Sequence, residues 1–384
     1  MAHSTGLKSV GVSVPDRVLT NDHWRRNHPQ LIANVESRTW MWRKPMEWTE
    51  GSEAFNLEMA PYVRDPFRGA RQRRTIESDG SALELELTAA WDALKAAAMA
   101  PEDIDLLICT AFQPDTYGVG SAAALADNLG IRCAAWNLES ACSSALVAFQ
   151  TACSLVESGQ HRNVLVVSSC TYSRTTEESD PISWGVGDAA SAFIVGPVEN
   201  GAGYLGGYTV HSAETCDAVA YHPELDSKGK PRLRLRTSKY TAEILRGTSE
   251  RYLQECCHGA LSAAGVSLAD IDHFVFNTPL AWYSAFCARV LGVDRRRTLS
   301  VYPLYANVGP ALLGMNLLHA AHWKQYRPGE LVLLYTVGSV STCSAAVMRW
   351  GDVALGSLPD GVSPELLEAF EAEAGQPASV ARVA

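Results

Sequence analysis

No stretch of the 384 residues stays apolar for the roughly 18 positions a membrane-spanning helix needs. The N-terminus lacks a basic start followed by an apolar run, so no secretory signal is read there. Positive charge is not in excess: the formal net charge is −10, which argues against bulk affinity for nucleic acid. A Gly-x-Ser-x-Gly nucleophile elbow and a phosphate loop are both missing. The ten cysteines form no disulfide framework. Most lie inside apolar strand or helix patterns (Cys109, Cys153, Cys170, Cys287), which fits free thiols in a reducing cytoplasm. Metal-ligand spacing is wanting as well. Cys256, Cys257 and His258 are adjacent on a predicted helix and cannot face one ion, and His319 and His322 have no partner ligand. No metal or other cofactor is expected.

What is present is an apolar core and a repeat. The length and apolar content allow one large or two medium domains. Ser81 to Met99 reads as an amphipathic helix with Leu83, Leu87, Trp91 and Leu94 along one stripe. Asp103-Ile-Asp105-Leu-Leu-Ile-Cys-Thr110 then matches Asp270-Ile-Asp272-His-Phe-Val-Phe-Asn277, each after a helix. Leu129-Gly-Ile131 matches Leu291-Gly-Val293, and Val164 to Val167 matches Leu331 to Leu334. Strands alternating with helices in two equivalent halves predict an α/β fold of two units packed as a pseudo-dimer, the sheets sandwiched by helices. The halves are read as residues 1–200, with an inserted flap at about 21–62, and 201–350. After Trp350 the sheet pattern stops, leaving an acidic tail, 351–384, with a helix at Pro364 to Ala374.

One cysteine stands out. Asn137-Leu-Glu-Ser-Ala-Cys142-Ser-Ser-Ala is a small polar turn running into an apolar helical segment. That puts Cys142 at or just before a helix N-terminus, where unpaired N–H groups and the helix dipole favour a thiolate nucleophile. In the repeat, Asn307 occupies nearly the equivalent place, so a two-fold relation brings Cys142 and Asn307 toward one central site. Gly201-Ala-Gly203-Tyr-Leu-Gly206 spells a dinucleotide fingerprint, but strand continues after it and it reads as a glycine-rich hairpin. The clusters Arg71/Arg73/Arg74, Arg232/Arg234/Arg236 and Arg295–Arg297 read as solvated faces, with docking of an acidic carrier as the alternative. The flap is rich in Trp40, Trp42, Trp48, Met41 and Met46; it covers an acyl or acceptor pocket, or simply packs on the core.

Ala141-Cys142-Ser-Ser-Ala, Gly185-Val-Gly187-Asp188-Ala-Ala-Ser-Ala192, Asn307 and Leu331-Val-Leu-Leu-Tyr-Thr-Val-Gly338 resemble the ketoacyl-ACP synthase III family. The resemblance spans Leu7 to Trp350. It implies the thiolase fold, an αβαβα layered sandwich, in a homodimer. It also implies an acyl group received from a thioester carrier onto Cys142 and passed to a second substrate. The family's histidine, which with the asparagine holds a malonyl carbonyl during decarboxylation, is replaced by Asn277, followed by Thr278-Pro279. An amide donates a hydrogen bond but carries no proton. The family residues that hold the coenzyme-A adenine fall near Val63 and Phe67, and its carrier-docking arginine falls at Trp282; acyl carrier protein is expected as donor over free coenzyme A. Backbone N–H groups of Cys142 and Ser339 would form the oxyanion hole. Trp184, Tyr305, Thr278 and Trp282 are expected at the substrate, and His211 or His222 as a displaced base. The reading is acyl transfer to oxygen or nitrogen of a small-molecule acceptor in specialised metabolism. Claisen condensation and a non-catalytic partner subunit are its alternatives.

Overall fold

The computed structural model describes residues 4–41, 52–199, 201–216, 218–225, 229–338 and 340–373, with side chains in the first segment described to residue 37. Trp42, Met46 and Trp48 of the flap, Ser339, and the stretch from Gly375 onward lie outside the described residues.

Buried strands of β-branched and aliphatic residues build two sheets. The six-stranded sheet runs Ala354–Leu355, Ser4–Ser13, Asp188–Val198, Val164–Thr171, Leu106–Phe112, Ala134–Asn137. The four-stranded sheet runs Gly203–His211, Thr342–Arg349, Leu331–Val337, His273–Phe276. Leu106–Phe112 pairs parallel with Val164–Thr171, as His273–Phe276 does with Leu331–Val337. The next two pairings outward are antiparallel in both sheets. Strand order and sense therefore repeat, and the chain has the α/β thiolase architecture of two pseudo-symmetric halves. Ser144–Glu157 and Leu312–Lys324 are the equivalent central helices, packed in one apolar cluster between the sheets.

Three local expectations change. The buried stripe of helix Ala82–Ala96 is Leu85, Ala89, Ala90, Ala93 and Leu94, while Trp91 is exposed. Alanines serve because strand Ser4–Ser13 comes very close: a Cβ on Gly11 would lie 2.4 Å from the Ala93 nitrogen. The glycine-rich segment after Val198 is not a hairpin but a passage from one sheet to the other. There Gly203 (φ +100°) lies against Thr5, where a Cβ would be 2.2 Å from the carbonyl oxygen. Finally, the sheet pattern does not stop at Trp350. Ala354–Leu355 joins Ser4–Ser13 in parallel, and helix Pro364–Glu373 buries Leu367 in the central cluster.

Arg73, Arg74 and Arg234 are drawn into the fold, whereas Arg232, Arg295 and Arg296 are exposed, as a solvated face requires. Arg73 is fully buried, bonded to Asn21 Oδ1 (2.7 Å) and the Trp184 carbonyl, with its guanidinium 4.4 Å from the Trp24 ring centroid. Arg234 pairs with Glu177, Arg236 with Glu224 and Asp180, and Arg296 with Asp294. Arg295 stands 3.7 Å from Glu58, and Arg297 lies over Phe274. All ten cysteines are free. Among the described residues no three potential ligands could hold a metal, and no helix is long and apolar enough to cross a membrane.

Glu86 is a buried carboxylate on the inner face of Ala82–Ala96. It accepts from Ser169 Oγ (2.6 Å) and Ser121 Oγ (3.1 Å), while Oε2 has no partner. Burial pushes its carboxyl up to about 7. The folded chain thus holds a proton that the unfolded chain has released, and stability falls as pH rises from about 4.5 to about 7. The loss is of order 3 kcal/mol. Asp188, pushed up to about 6 by its own burial, acts with the same sign. In Glu86→Gln the decline should shrink by the Glu86 share, and the variant should exceed the wild type at pH 8. Urea unfolding of both proteins at pH 5 and 8 reads the difference.

Candidate active site

The candidate site collects residues just past the carboxyl ends of parallel strands. Leu138 to Cys142 follow Ala134–Asn137, Gln113 follows Leu106–Phe112, and Tyr172 follows Val164–Thr171. From the second half, Asn277 follows His273–Phe276 and Gly338 follows Leu331–Val337. Strand ends of open α/β sheets present such convergent loops.

Cys142 sits in the 3₁₀ turn Ala141–Ser143, directly before helix Ser144–Glu157, as the sequence predicts. The turn is strained: Ala141 has φ +52°, a region costly for a residue with a Cβ. Local bonds hold it. The Ala141 N–H donates to Glu139 Oε1 (2.7 Å), Ser140 N–H donates to Ser144 Oγ (2.7 Å), and Ser144 Oγ donates to the Ala141 carbonyl (2.6 Å). Gly338 closes against it from the other half: a Cβ there would be 3.0 Å from both the Ser140 carbonyl and Ser143 Oγ.

Asn307 is fixed by backbone. Its N–H donates to the Gly185 carbonyl (3.0 Å) and its carbonyl accepts from Gly187 (2.9 Å), with Ala306 before it at φ +58°. Its Oδ1 accepts from the Gly309 N–H (2.9 Å), and no protein partner of its Nδ2 is found among the described residues. Asn277 joins the two turns. Fully buried, it donates from Nδ2 to the Cys142 carbonyl (3.3 Å) and to the Gly309 carbonyl (3.3 Å). Both amide hydrogens are thereby used. Its Oδ1 is buried without a partner. The donor role expected of Asn277 gives way to that of an acceptor, because two carbonyls fix which way the amide points.

Burial pushes Cys142 up to about 11, against the opposing effect of the Tyr172 hydroxyl, 3.9 Å from Sγ. Among the described residues the charge that acts on it is Glu139, which raises it further. Desolvation outweighs the helix terminus here.

The expected substrate and base residues lie elsewhere. Trp184 is buried 5.1 Å from the Phe67 ring, in the cluster that also holds Trp24. Tyr305 is core, its hydroxyl 3.1 Å from Nε2 of the buried His319. Thr278 Oγ1 is bonded by Asn316 Nδ2 (3.0 Å). Trp282 packs against Phe55 and Tyr62, so it seats the end of the flap. His211 is exposed, its ring bonded by the Ala213 N–H, and His222 is exposed on the ribbon opposite Arg234. Neither touches Cys142.

The sequence reading missed Tyr172, Tyr221, Gln113 and Glu139. Their one signal is position, just beyond strand ends or in the cysteine turn; Tyr221 has none. Beside the site opens a cleft of about 620 Å³ lined by Trp24, Tyr117, Ser173, Arg174, Val186 and Leu233 among others. Its Val186 forms a parallel bridge with Asn307, and Ser173 adjoins Tyr172. Through Trp24 the flap reaches this cleft.

The family model for 3-oxoacyl-[acyl-carrier-protein (ACP)] synthase III matches residues 136–213, and that for its C-terminal part matches 261–350. Beta-ketoacyl-[acyl-carrier-protein] synthase III of Desulfitobacterium hafniense is 26% identical over 359 residues, 90% of this chain and 98% of that protein. Synthase III 3 of Streptomyces coelicolor is 29% identical over 361 residues, 91% of this chain and 98% of that protein. FabH of Pseudomonas aeruginosa superposes with a TM-score of 0.74 at 20% identity, over 93% of this chain and 100% of its own. OleA of Xanthomonas campestris, with bound lauric acid and lauroyl-CoA, gives 0.74 at 20% over 91% and 100%.

Asn277→Asp should be severely destabilising. It replaces the two donors facing the Cys142 and Gly309 carbonyls by acceptors, at a cost of about 3 kcal/mol or more. The loss should be greater at pH 8 than at pH 5, since the new carboxyl is tolerated only when protonated. Urea midpoints at the two pH values measure this; unchanged stability would mean the amide is not the tie.

Proposed function

We propose, from the premise that this chain is a divergent member of the 3-oxoacyl-[acyl-carrier-protein] synthase III family, that it is an acyltransferase delivering acyl groups to oxygen or nitrogen. The observation that carries this reading is the Asn277 amide. Decarboxylation of a malonyl thioester builds negative charge on a carbonyl oxygen, which needs hydrogen-bond donors. Asn277 has no hydrogen left to give. Its free Oδ1 suits the N–H or O–H of an incoming amine or alcohol.

The remaining roles extend this proposal. Cys142 Sγ attacks the thioester carbonyl. Asn307, with Nδ2 unspent, orients that carbonyl. The Cys142 backbone N–H takes the oxyanion; Ser339, expected as the second donor, lies outside the described residues. The 620 Å³ cleft, with Trp24 on its wall, receives one of the two substrates. Names of the relatives support acyl carrier protein as donor. A homodimer is supported by the exposed edge strand Ala134–Asn137, which carries Trp136 and leaves one side without a strand partner. Ten free thiols support a reducing cytoplasm. The same relatives' names, β-ketoacyl synthase, favour condensation as the second reading.

Incubation with acetyl and longer acyl-carrier-protein thioesters, read by intact mass, should give a covalent adduct that Cys142→Ala lacks. The adduct should decay faster with added amines or alcohols than in buffer alone. Carbon dioxide release from malonyl carrier protein should stay at the Cys142→Ala level, and Asn277→His should raise it. Rapid release by the wild type would replace heteroatom transfer with condensation.

A further inference from the structure

Replacement of the family's imidazole leaves the proton of the Cys142 thiol without an obvious carrier. The four groups that face the sulfur come from three places. Glu139 acts on it from the cysteine turn, Cys170 and Tyr172 from the end of strand Val164–Thr171, and Tyr221 from the ribbon strand Val219–Leu225. Of these, Tyr172 is the side chain within hydrogen-bond reach of Sγ among the described residues, at 3.9 Å. Its position is fixed independently of that bond. The Tyr172 carbonyl accepts from Thr175 Oγ1 (3.1 Å) and Thr176 Oγ1 (3.2 Å), and the ring lies edge-on to Phe112 at 6.2 Å. Among the described residues the hydroxyl has no hydrogen-bond partner other than the sulfur.

Nearby geometry is strained in its favour. Gln113, at φ +66°, is a non-glycine residue in the left-handed region. Thr171 Oγ1 (2.9 Å) and Arg174 (3.3 Å) hold its carbonyl, and its Oε1 accepts from the exposed Tyr117 hydroxyl (2.5 Å). Tyr221 bonds the same Gln113 side chain, and its ring lies edge-on to Phe112 as that of Tyr172 does. Strain kept at such a junction is a mark of function when the surroundings over-determine it.

We propose that Tyr172 is a catalytic residue: its hydroxyl carries the proton between Cys142 Sγ and the sulfur of the acyl donor. This rests on the acyltransferase reading. In the first step Cys142–SH and R–CO–S–carrier become Cys142–S–CO–R and HS–carrier. The Sγ–carbon bond forms and the donor carbon–sulfur bond breaks. Tyr172 accepts the Sγ proton on its oxygen while its own hydroxyl proton passes to the departing sulfur, so the phenol ends as it began. In the second step the acceptor's nitrogen or oxygen bonds the acyl carbon, Sγ departs, and the acceptor's proton returns to Sγ through the same hydroxyl. Nothing is oxidised or reduced. The phenol stays neutral throughout, since burial and the neighbouring thiols and tyrosine hold its pKa far above the usual value.

Tyr172→Phe keeps the ring against Phe112 and the backbone bonds, and removes only the hydroxyl. Two readouts apply. Iodoacetamide alkylation of Cys142, followed by intact mass across pH, should shift to higher pH in the variant. Single-turnover acylation by octanoyl-N-acetylcysteamine should slow by about 10²-fold. A superimposable alkylation profile together with acylation within twofold of the wild type would overturn the proposal. If the wild type accepts no acyl group at all, the acyltransferase reading fails, and the alkylation profile alone decides whether Tyr172 controls the sulfur's proton. Should the variant not fold, a proton inventory of wild-type acylation decides: a bowed dependence on deuterium fraction reports two protons in flight, and a straight line overturns the relay.

Discussion

Two hydrogens on one amide hold the centre of this molecule together. Asn277 belongs to the second half, yet one of its hydrogens goes to the carbonyl of Cys142 in the first. The other goes to Gly309, two residues beyond Asn307. The turns it joins are both strained, with Ala141 and Ala306 at positive φ immediately before Cys142 and Asn307. Each such residue costs about 1–3 kcal/mol unless its surroundings over-determine it. The Asn277 tie, the bonds among Glu139, Ser140 and Ser144, and the close approach of Gly338 supply that determination. The same tie leaves the Asn277 amide only an acceptor, the buried and unpartnered Oδ1.

Pseudo-symmetry explains why the tie exists. Two sheets with the same strand order point the carboxyl ends of their parallel strands at one place. Loops leaving those ends must share a small volume, so polar groups from both halves are forced into contact and must satisfy one another. The symmetry is broken at the edge. Ala134–Asn137 is a strand in the first half, whereas its counterpart is reduced to a single parallel bridge between Phe274 and Thr298. Each sheet thus ends on this side in an edge strand, Ala134–Asn137 in the first and His273–Phe276 in the second.

The repeat and Cys142 were legible in sequence because both rest on local patterning: strand-length apolar runs at a constant offset, and a small polar turn before an apolar helix. Asn307 was legible because the offset carried it. Trp184, Tyr305, Thr278 and Trp282 misled. They neighbour motif residues in the chain, but each is buried against core partners: Phe67, His319, Asn316 and Phe55 respectively. Arg73 misled in the opposite way, since a guanidinium reads as surface and here lies under Trp24 and Phe67. Tyr172 and Tyr221 carry no motif at all. A tyrosine after a strand reads as packing, and only the superposed ends of two parallel strands and a ribbon from elsewhere in the chain bring it to the sulfur. Which Asn277 atom is free is likewise beyond sequence, because two backbone carbonyls decide it.

Burial and reactivity oppose each other at Cys142. Raising a thiol from about 9 to about 11 lowers its thiolate fraction near neutrality by a factor of about 100. A site that relied on a standing thiolate would need a cation or an imidazole beside the sulfur, and Glu139 is the charge found there. The same exclusion of water strengthens every fixed dipole aimed at the reacting carbonyl, and one oxyanion-hole donor is worth about 10²–10³ in rate. The lost thiolate is thus offset only if attack and proton departure occur together, in a step that never populates the free anion. That requirement places the demand on a neutral hydroxyl in contact with the sulfur rather than on a strong base, and it makes the dry, strained turn an advantage instead of a defect.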